Sequence, residues 1–116
     1  MANKKNRTES LPNKDGDTYK VGDGVHWGFN GDRYPGTVLY VSDSGRKVYV
    51  SSDKYKIIDN LGGFVEGDRE CEFTTVQQPI EKCSCFTLRK DGRFTDHPRG
   101  GYAIWPERSY ARNPSF

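Results

Sequence analysis

The side chains best suited to metal binding or nucleophilic catalysis are the cysteines and histidines Cys71, Cys83, Cys85, His26 and His97. In a regular strand Cys83 and Cys85 point to the same face but lie about 6.5–7 Å apart. Two thiolates that share a tetrahedral zinc ion, each about 2.3 Å from the metal, are closer together than that. Only a distorted turn would bring these two thiols into chelating positions, and the sequence has no Cys-x-x-Cys pair. We therefore expect no metal site and no cofactor.

Nucleophilic catalysis by a cysteine requires a histidine base beside it in space. The strand-to-helix turn that carries the nucleophile in many hydrolases is absent from the pattern, and His97, directly before Pro98, is expected in a solvated loop. Acids of the central region can supply a carboxylate pair for acid–base chemistry, although solvent-facing acidic strands explain them equally well. These acids are Asp53, Asp59, Glu66, Asp68, Glu70 and Glu72. We predict a protein without enzymatic activity.

Aromatic and basic side chains are interleaved at the end of the first predicted strand and in the loop after it. Such residues stack on nucleic-acid bases and contact phosphates, and they are equally enriched in protein-binding hot spots. For Trp27 and Phe29 the alternative is a place in the core, because large aliphatic residues are few. A basic run at a hairpin tip is either a further contact or a solubilising feature. The predicted binding residues are Trp27, Phe29, Arg33, Tyr34, Lys54, Tyr55, Arg89, Lys90 and Arg93.

Residues 31–50 contain the elements that must position this loop, and they predict a β-hairpin. The alternation of strand residues runs through residues 37–41, and it resumes through residues 48–50 after the turn Asp43-Ser44-Gly45. Before the hairpin, Gly31 favours a turn, and Pro35 directs Tyr34 towards an extended backbone. Arg33 and Tyr34 are therefore expected as a short, stiff and exposed pair.

Further strands are predicted on both sides of this hairpin. Residues 20–27 form the first strand, and residues 51–59 form either a bulged continuation of the hairpin or a third strand. Residues 71–76 alternate again, and residues 83–94 predict a second hairpin with a two-residue type I′ turn at Asp91-Gly92. Ile104-Trp105 is a short strand candidate within an extended C-terminal strap. No segment has helical periodicity.

The resulting fold class is all-β: a small, strongly twisted antiparallel barrel with extended N- and C-terminal segments. Residues 1–19 are polar and poor in aliphatic side chains, so we predict a flexible tail there and a single domain over residues 20–116. The alternative is a tail partly pinned to the barrel through Leu11-Pro12 and Tyr19. One domain is what 116 residues with 33% hydrophobic residues can support.

The charge of the chain is small overall but uneven. The net charge is +2, and residues 1–20 carry five basic residues against three acids, residues 21–80 six against nine, and residues 81–116 seven against four. Whether the two basic ends meet in space cannot be read from the pattern. No apolar run approaches the roughly 20 residues of a membrane span, no signal peptide is recognisable, and the cysteine number is odd. These features predict a cytoplasmic protein without membrane contact.

Residues 32–38, 41–48, 86–94 and 110–116 resemble a family of small uncharacterised proteins of bacteriophages and bacterial genomes, a likeness that covers most of residues 20–116. This resemblance implies a phage or prophage accessory protein and brings no catalytic residues. Residues 21–25 and 36–38 resemble the Tudor and KOW group of SH3-like barrels, which bind proteins or nucleic acids. In such barrels the loop after the first strand presents aromatic side chains, as residues 27–34 would here.

The leading hypothesis from sequence is a non-enzymatic binding module, carried by a phage or prophage, that binds and modulates a host protein or complex. Its mixed charge favours a protein partner over nucleic acid. The first alternative is a nucleic-acid-binding SH3-like or KOW-like domain. The second is a homo-oligomeric structural or assembly protein, a dimer for example, in which exposed strand edges pair.

Overall fold

The computed structural model describes residues 8–28, 32–58, 71–97 and 101–111. The strands in this part of the chain form a six-stranded antiparallel sheet with the order β7-β6-β3-β2-β1-β8 and a separate two-stranded ribbon of β4 and β5. The predicted all-β class is confirmed. The strands are β1 (Gly24–Trp27), β2 (Tyr34–Val41), β3 (Lys47–Ser52), β4 (Lys54–Ile57), β5 (Cys71–Thr74), β6 (Ser84–Leu88), β7 (Phe94–Thr95) and β8 (Trp105–Pro106).

The predicted first hairpin is formed by β2 and β3. Val38 pairs with Val50 and Val41 pairs with Val48, and the register shifts between Val38 and Tyr40. Such a bulge bends the strand and increases its twist. The valines of both strands therefore lie on one face, where they are fully buried in the core.

The second hairpin is formed by β6 and β7, but the predicted type I′ turn at Asp91-Gly92 is wrong. Arg89 and Arg93 are joined by a backbone hydrogen bond of 2.8 Å, so the loop has an additional residue, Lys90. Gly92 has φ 85°, whereas Asp91 is not among the residues with positive φ. A type I′ turn needs positive φ at both central positions. The loop is instead a tight turn followed by a left-handed glycine.

The sheet curls until its two edge strands are joined by one chain segment. The N–H of Ile104 donates to Phe94 at 3.0 Å, and Ala103 forms a bridge with Thr95. Immediately afterwards, Trp105 in β8 pairs with His26 in β1. Residues 103–106 thus connect the β7 edge to the β1 edge and give the sheet its barrel-like form. The buried core is made of Tyr19, Val25, Val38, Val41, Val48, Val50, Phe86, Phe94 and Ile104.

Residues 8–19 are part of this structure, which corrects the prediction of a flexible tail for that stretch. Glu9 bridges to Lys20, and the Tyr19 side chain is only 1% exposed. Its ring meets Phe94 edge to face at 5.3 Å, and its hydroxyl donates to the Ile104 carbonyl oxygen at 3.3 Å. One buried aromatic supplies the apolar area that the aliphatic composition lacks. The pinned alternative describes residues 8–19, whereas residues 1–7 lie outside the described residues.

The β4–β5 ribbon answers the question that the sequence left open for residues 51–59. The main sheet ends at Ser52, and β4 begins after Asp53 and pairs with β5 alone. In the described segments, the only helical turn is the 3-10 turn Ile80–Lys82. No helix in those segments is long and apolar enough to span a membrane.

Candidate functional site

Tyrosine rings from distant parts of the chain form an exposed cluster at the start of β2. Tyr55 stacks on Tyr110 with ring centroids 4.1 Å apart and planes at 25°. Tyr34 meets the same Tyr110 ring edge to face at 6.3 Å. Tyr34 and Tyr55 are 41% and 42% exposed. The structure therefore brings together two predicted binding residues, Tyr34 and Tyr55, around a third, Tyr110, that was not predicted as a site residue.

Backbone pairing fixes the positions of these rings. Arg33 and Ala111 exchange a pair of backbone hydrogen bonds of 2.8 and 3.0 Å, which places Tyr110 beside Tyr34. Tyr55 lies in β4 opposite Phe73. Since directly paired residues share a face of the ribbon, the half-buried Phe73 supports the face that carries Tyr55. Arg33 thus serves partly as a backbone anchor for the cluster.

Apolar surface continues from the rings along the ribbon. Ile57, two residues after Tyr55, lies on the same face, pairs with Cys71, and is 39% exposed. We call Tyr34, Tyr55, Tyr110 and Ile57 the tyrosine patch. Exposed aromatic and aliphatic side chains that adjoin one another are typical of interaction sites. By the alternation of β4, Lys54 points to the opposite face, so this predicted binding residue does not join the patch.

A buried ion pair lies next to the patch in sequence and holds its supporting segments together. The Asp53 carboxylate is fully buried and accepts a hydrogen bond from Arg108 Nε at 2.8 Å. The Thr37 hydroxyl donates to the same carboxylate at 2.6 Å and accepts from the Arg108 guanidinium at 2.8 Å. The guanidinium also reaches the Thr75 hydroxyl at 3.3 Å. One network therefore links β2, the residue before β4, the residue after β5 and the C-terminal strap.

Two hydroxyl groups in the patch are coupled. A hydrogen bond with Tyr110 is the largest cause that raises the pKa of Tyr55 to about 12, and burial and nearby acidic groups add to the rise. Both rings are therefore neutral near pH 7, and this stacked pair presents apolar faces with polar edges. Such amphipathic surfaces suit recognition rather than proton transfer near neutral pH.

Trp27 has a structural role in the described fold. Its ring packs against Phe86 with centroids 6.0 Å apart, and it lies partly buried against the core cluster. The alternative of a core position for Trp27 therefore fits the structure better than a binding position. Phe29 lies outside the described residues.

The predicted basic tip is at the other end of the barrel from the tyrosine patch. Arg89 Nε donates to the Thr95 hydroxyl at 3.0 Å, and Arg93 forms an ion pair with Asp91 at 2.8 Å. Lys90 is exposed. Arg89 is thus engaged within the fold, whereas Lys90 and Arg93 face solvent and do not meet the tyrosines.

The cysteines and His26 have contacts that suit packing. Burial raises the pKa of the Cys83 thiol, and its Sγ contacts the Pro79 carbonyl oxygen at 3.6 Å. Cys85 lies opposite Tyr49, where burial, followed by Cys85 itself, raises the pKa of Tyr49. His26 Nδ1 is 2.8 Å from the Glu107 carbonyl oxygen. Within the described segments, no group of three or more His, Cys, Asp or Glu side chains could hold a metal ion.

Sequence reasoning missed Tyr110 and Arg108, the residues of the C-terminal strap on which this site depends. Their aromatic and basic character was visible, but their partners lie far away in the chain. In comparisons with known proteins, no family model, curated protein or solved structure matches the chain. The arrangement of these side chains is therefore the basis for a functional assignment.

Proposed function

We propose that this protein is a non-enzymatic binding module that recognises a protein partner through the tyrosine patch. The observation that carries the proposal is the packed but exposed arrangement of Tyr34, Tyr110 and Tyr55. Tyrosine provides a large contact area while only two side-chain torsions need to be ordered, which is why it is enriched in binding hot spots. The likeness to small phage proteins suggests a host bacterial protein as the partner.

Preorganisation supports this proposal. The ring stacking fixes Tyr55 and Tyr110 relative to each other, and the Asp53–Arg108 ion pair holds the segments that carry them. A partner would therefore meet rings that have already lost much of their freedom. Affinity is gained when this ordering cost is paid during folding rather than during association.

Charge around the patch favours protein over nucleic acid at this surface. The Tyr34 hydroxyl is 3.5 Å from the Asp32 carboxylate, which disfavours the close approach of a phosphate. Lys54 and Lys56 lie on the other face of the ribbon, opposite Thr74 and Glu72. An apolar, hydrogen-bonding surface with a carboxylate at its margin fits a polypeptide better than a polyanion.

Affinity purification with matched variants tests the proposal. The tagged wild type, Tyr55→Ala and Tyr102→Ala are incubated in parallel with lysate of the bacterium that carries the gene or its phage. Tyr102 is 46% exposed and lies outside the patch, so Tyr102→Ala controls for the general loss of an exposed tyrosine. We expect a stoichiometric protein that the wild type and Tyr102→Ala retain and Tyr55→Ala loses, with about thirtyfold weaker binding.

Two outcomes would overturn the proposal. One is recovery of no stoichiometric protein, and the other is equal loss of the captured protein by Tyr55→Ala and Tyr102→Ala. Light scattering of the purified chain covers the remaining arrangement. A wild-type dimer that Tyr55→Ala dissociates would show that the patch binds a second copy of this chain instead.

A further inference from the structure

The two basic terminal regions of the sequence meet at one end of the barrel. The Lys14 N–H donates to the Gly92 carbonyl oxygen at 2.8 Å, and the Leu11 N–H donates to that of Gly45 at 2.9 Å. The N-terminal segment therefore lies across the turns of both hairpins. This contact answers the question about charge convergence that the sequence left open.

Basic side chains from all of these segments are exposed at this end. Arg46 joins the two turns, since its guanidinium donates to the Leu88 carbonyl oxygen at 3.1 Å. Lys14 lies with its ammonium 5.6 Å from the centre of the Trp105 ring, a cation–π distance that restrains a charged group while leaving it near solvent. We call this group the basic end: the exposed residues Lys14, Arg46, Lys47, Lys90 and Arg93.

Acidic residues at the same end only partly offset this charge. Asp15 and Asp43 are exposed in the adjoining turns. Asp91 is paired with Arg93 at 2.8 Å, and backbone and side-chain hydrogen bonds from Arg93 hold its pKa below the usual range, with a smaller contribution from Lys14. The surface thus retains an excess of positive charge, carried mainly by side chains without an acidic partner in their own turn.

We infer that the basic end is a second binding surface, which contacts the phosphate backbone of duplex nucleic acid without sequence selectivity. Flexible lysine and arginine side chains at a tip release counterions when they approach phosphates, and this release supplies most sequence-independent affinity. The surface has no exposed large hydrophobic side chain among the described residues, since these are Val21, Tyr34, Tyr55, Ile57, Ile58 and Tyr102. A purely charged contact suits phosphates better than insertion into a lipid interface.

This surface is separate from the tyrosine patch. Tyr34 begins β2, and the turn that carries Arg46 follows its last residue, Val41. At about 3.3 Å per residue, the strand separates the two by roughly 25 Å. Variants of one surface should therefore leave the other intact, and the two proposals can fail independently.

The test is fluorescence anisotropy of a labelled DNA duplex titrated with the whole chain at low salt. The double variant Lys47→Glu/Lys90→Glu alters the basic end. The control Lys54→Glu/Lys82→Glu makes the same change in net charge at exposed lysines elsewhere. We expect the first variant to bind at least about tenfold more weakly and the control to stay close to the wild type. The slope of log affinity against log salt should fall by about 0.9 for each phosphate contact removed.

The alternatives give different readings in the same assay. No binding of the wild type at low salt would overturn the inference, as would equal weakening by the two double variants, which would show only a net-charge effect. Binding to vesicles that contain anionic lipid, without binding to the duplex, would assign the surface to a membrane and overturn it as well. Circular dichroism of each variant checks that the fold is retained.

Discussion

Arg108 Nε lies 2.8 Å from Asp53 Oδ2, and the Asp53 side chain has no exposed surface. Removal of one partner of a buried ion pair leaves the other charge uncompensated. We therefore expect Arg108→Ala to lower the free energy of unfolding by about 3 kcal/mol. Urea denaturation measures this change.

The exposed ion pair at the hairpin tip provides the contrast. Arg93 and Asp91 are 46% and 49% exposed, and solvent screens pairs of this kind. Arg93→Ala should change the urea midpoint little. Similar midpoints for Arg93→Ala and Arg108→Ala would show that the Asp53 network does not hold the strap to the barrel.

The two tyrosines with raised pKa values make stability sensitive to alkaline pH. Burial raises the pKa of Tyr19 to about 12, and the hydrogen bond with Tyr110 is the main cause of a similar value for Tyr55. An unfolded tyrosine has a pKa of about 10, so the unfolded chain loses these protons first. Their contribution to stability is therefore complete below about pH 10 and is lost as the pH rises towards 12.

Spectrophotometric titration of tyrosinate checks this prediction. The wild type should show a late-ionising group that Tyr19→Phe removes and another that Tyr55→Phe removes. Because Tyr55 belongs to the tyrosine patch, its ionisation should also weaken partner binding at high pH. Ionisation of all tyrosines in one transition near pH 10, with the fold intact, would contradict the assignment of both groups.

Gly36 tests the structural role of Trp27. A Cβ at this position would lie 2.5 Å from Trp27 Cζ3 and 2.7 Å from Val50 Cγ1. Overpacking of this kind costs about 1–3 kcal/mol, so Gly36→Ala should destabilise the fold and shift the tryptophan emission. Gly24→Ala is the control, because the added Cβ would instead meet the Arg108 side chain, 2.5 Å from its Cγ, away from Trp27. Tryptophan emission that changes equally in both variants would argue against a packing role for Trp27.

Local pattern was sufficient to predict the hairpins but not the site. The alternation around Val38 and Val50 is a property of neighbouring residues, so it could be recognised directly. The contact of Tyr110 with Tyr55, and that of Arg108 with Asp53, join residues that are far apart in sequence. No periodicity encodes such pairs, because they depend on how the strap crosses the finished barrel. The burial of Tyr19 was missed for the same reason, since its partners Phe94 and Ile104 lie near the other end of the chain.

Gly92 connects the fold to the basic end. It adopts φ 85°, and a Cβ there would lie 2.5 Å from Lys14 Cβ and 2.9 Å from its Cα. Gly92→Ala therefore combines left-handed strain with a clash that pushes the N-terminal segment away from the turn. We expect a loss of stability of more than about 1 kcal/mol and weaker duplex binding, because Lys14 would leave the other basic side chains.

Gly16→Ala separates these two effects. Gly16 has a similar φ of 84°, but nothing lies within 4 Å of an added Cβ, so only the backbone strain remains. Urea denaturation and duplex anisotropy are measured for both variants under conditions in which both are folded. If Gly16→Ala weakens duplex binding as much as Gly92→Ala does, contact between the N-terminal segment and the hairpin turn is not what assembles the basic end. If only Gly92→Ala weakens it, the convergence of the two basic regions is required for binding.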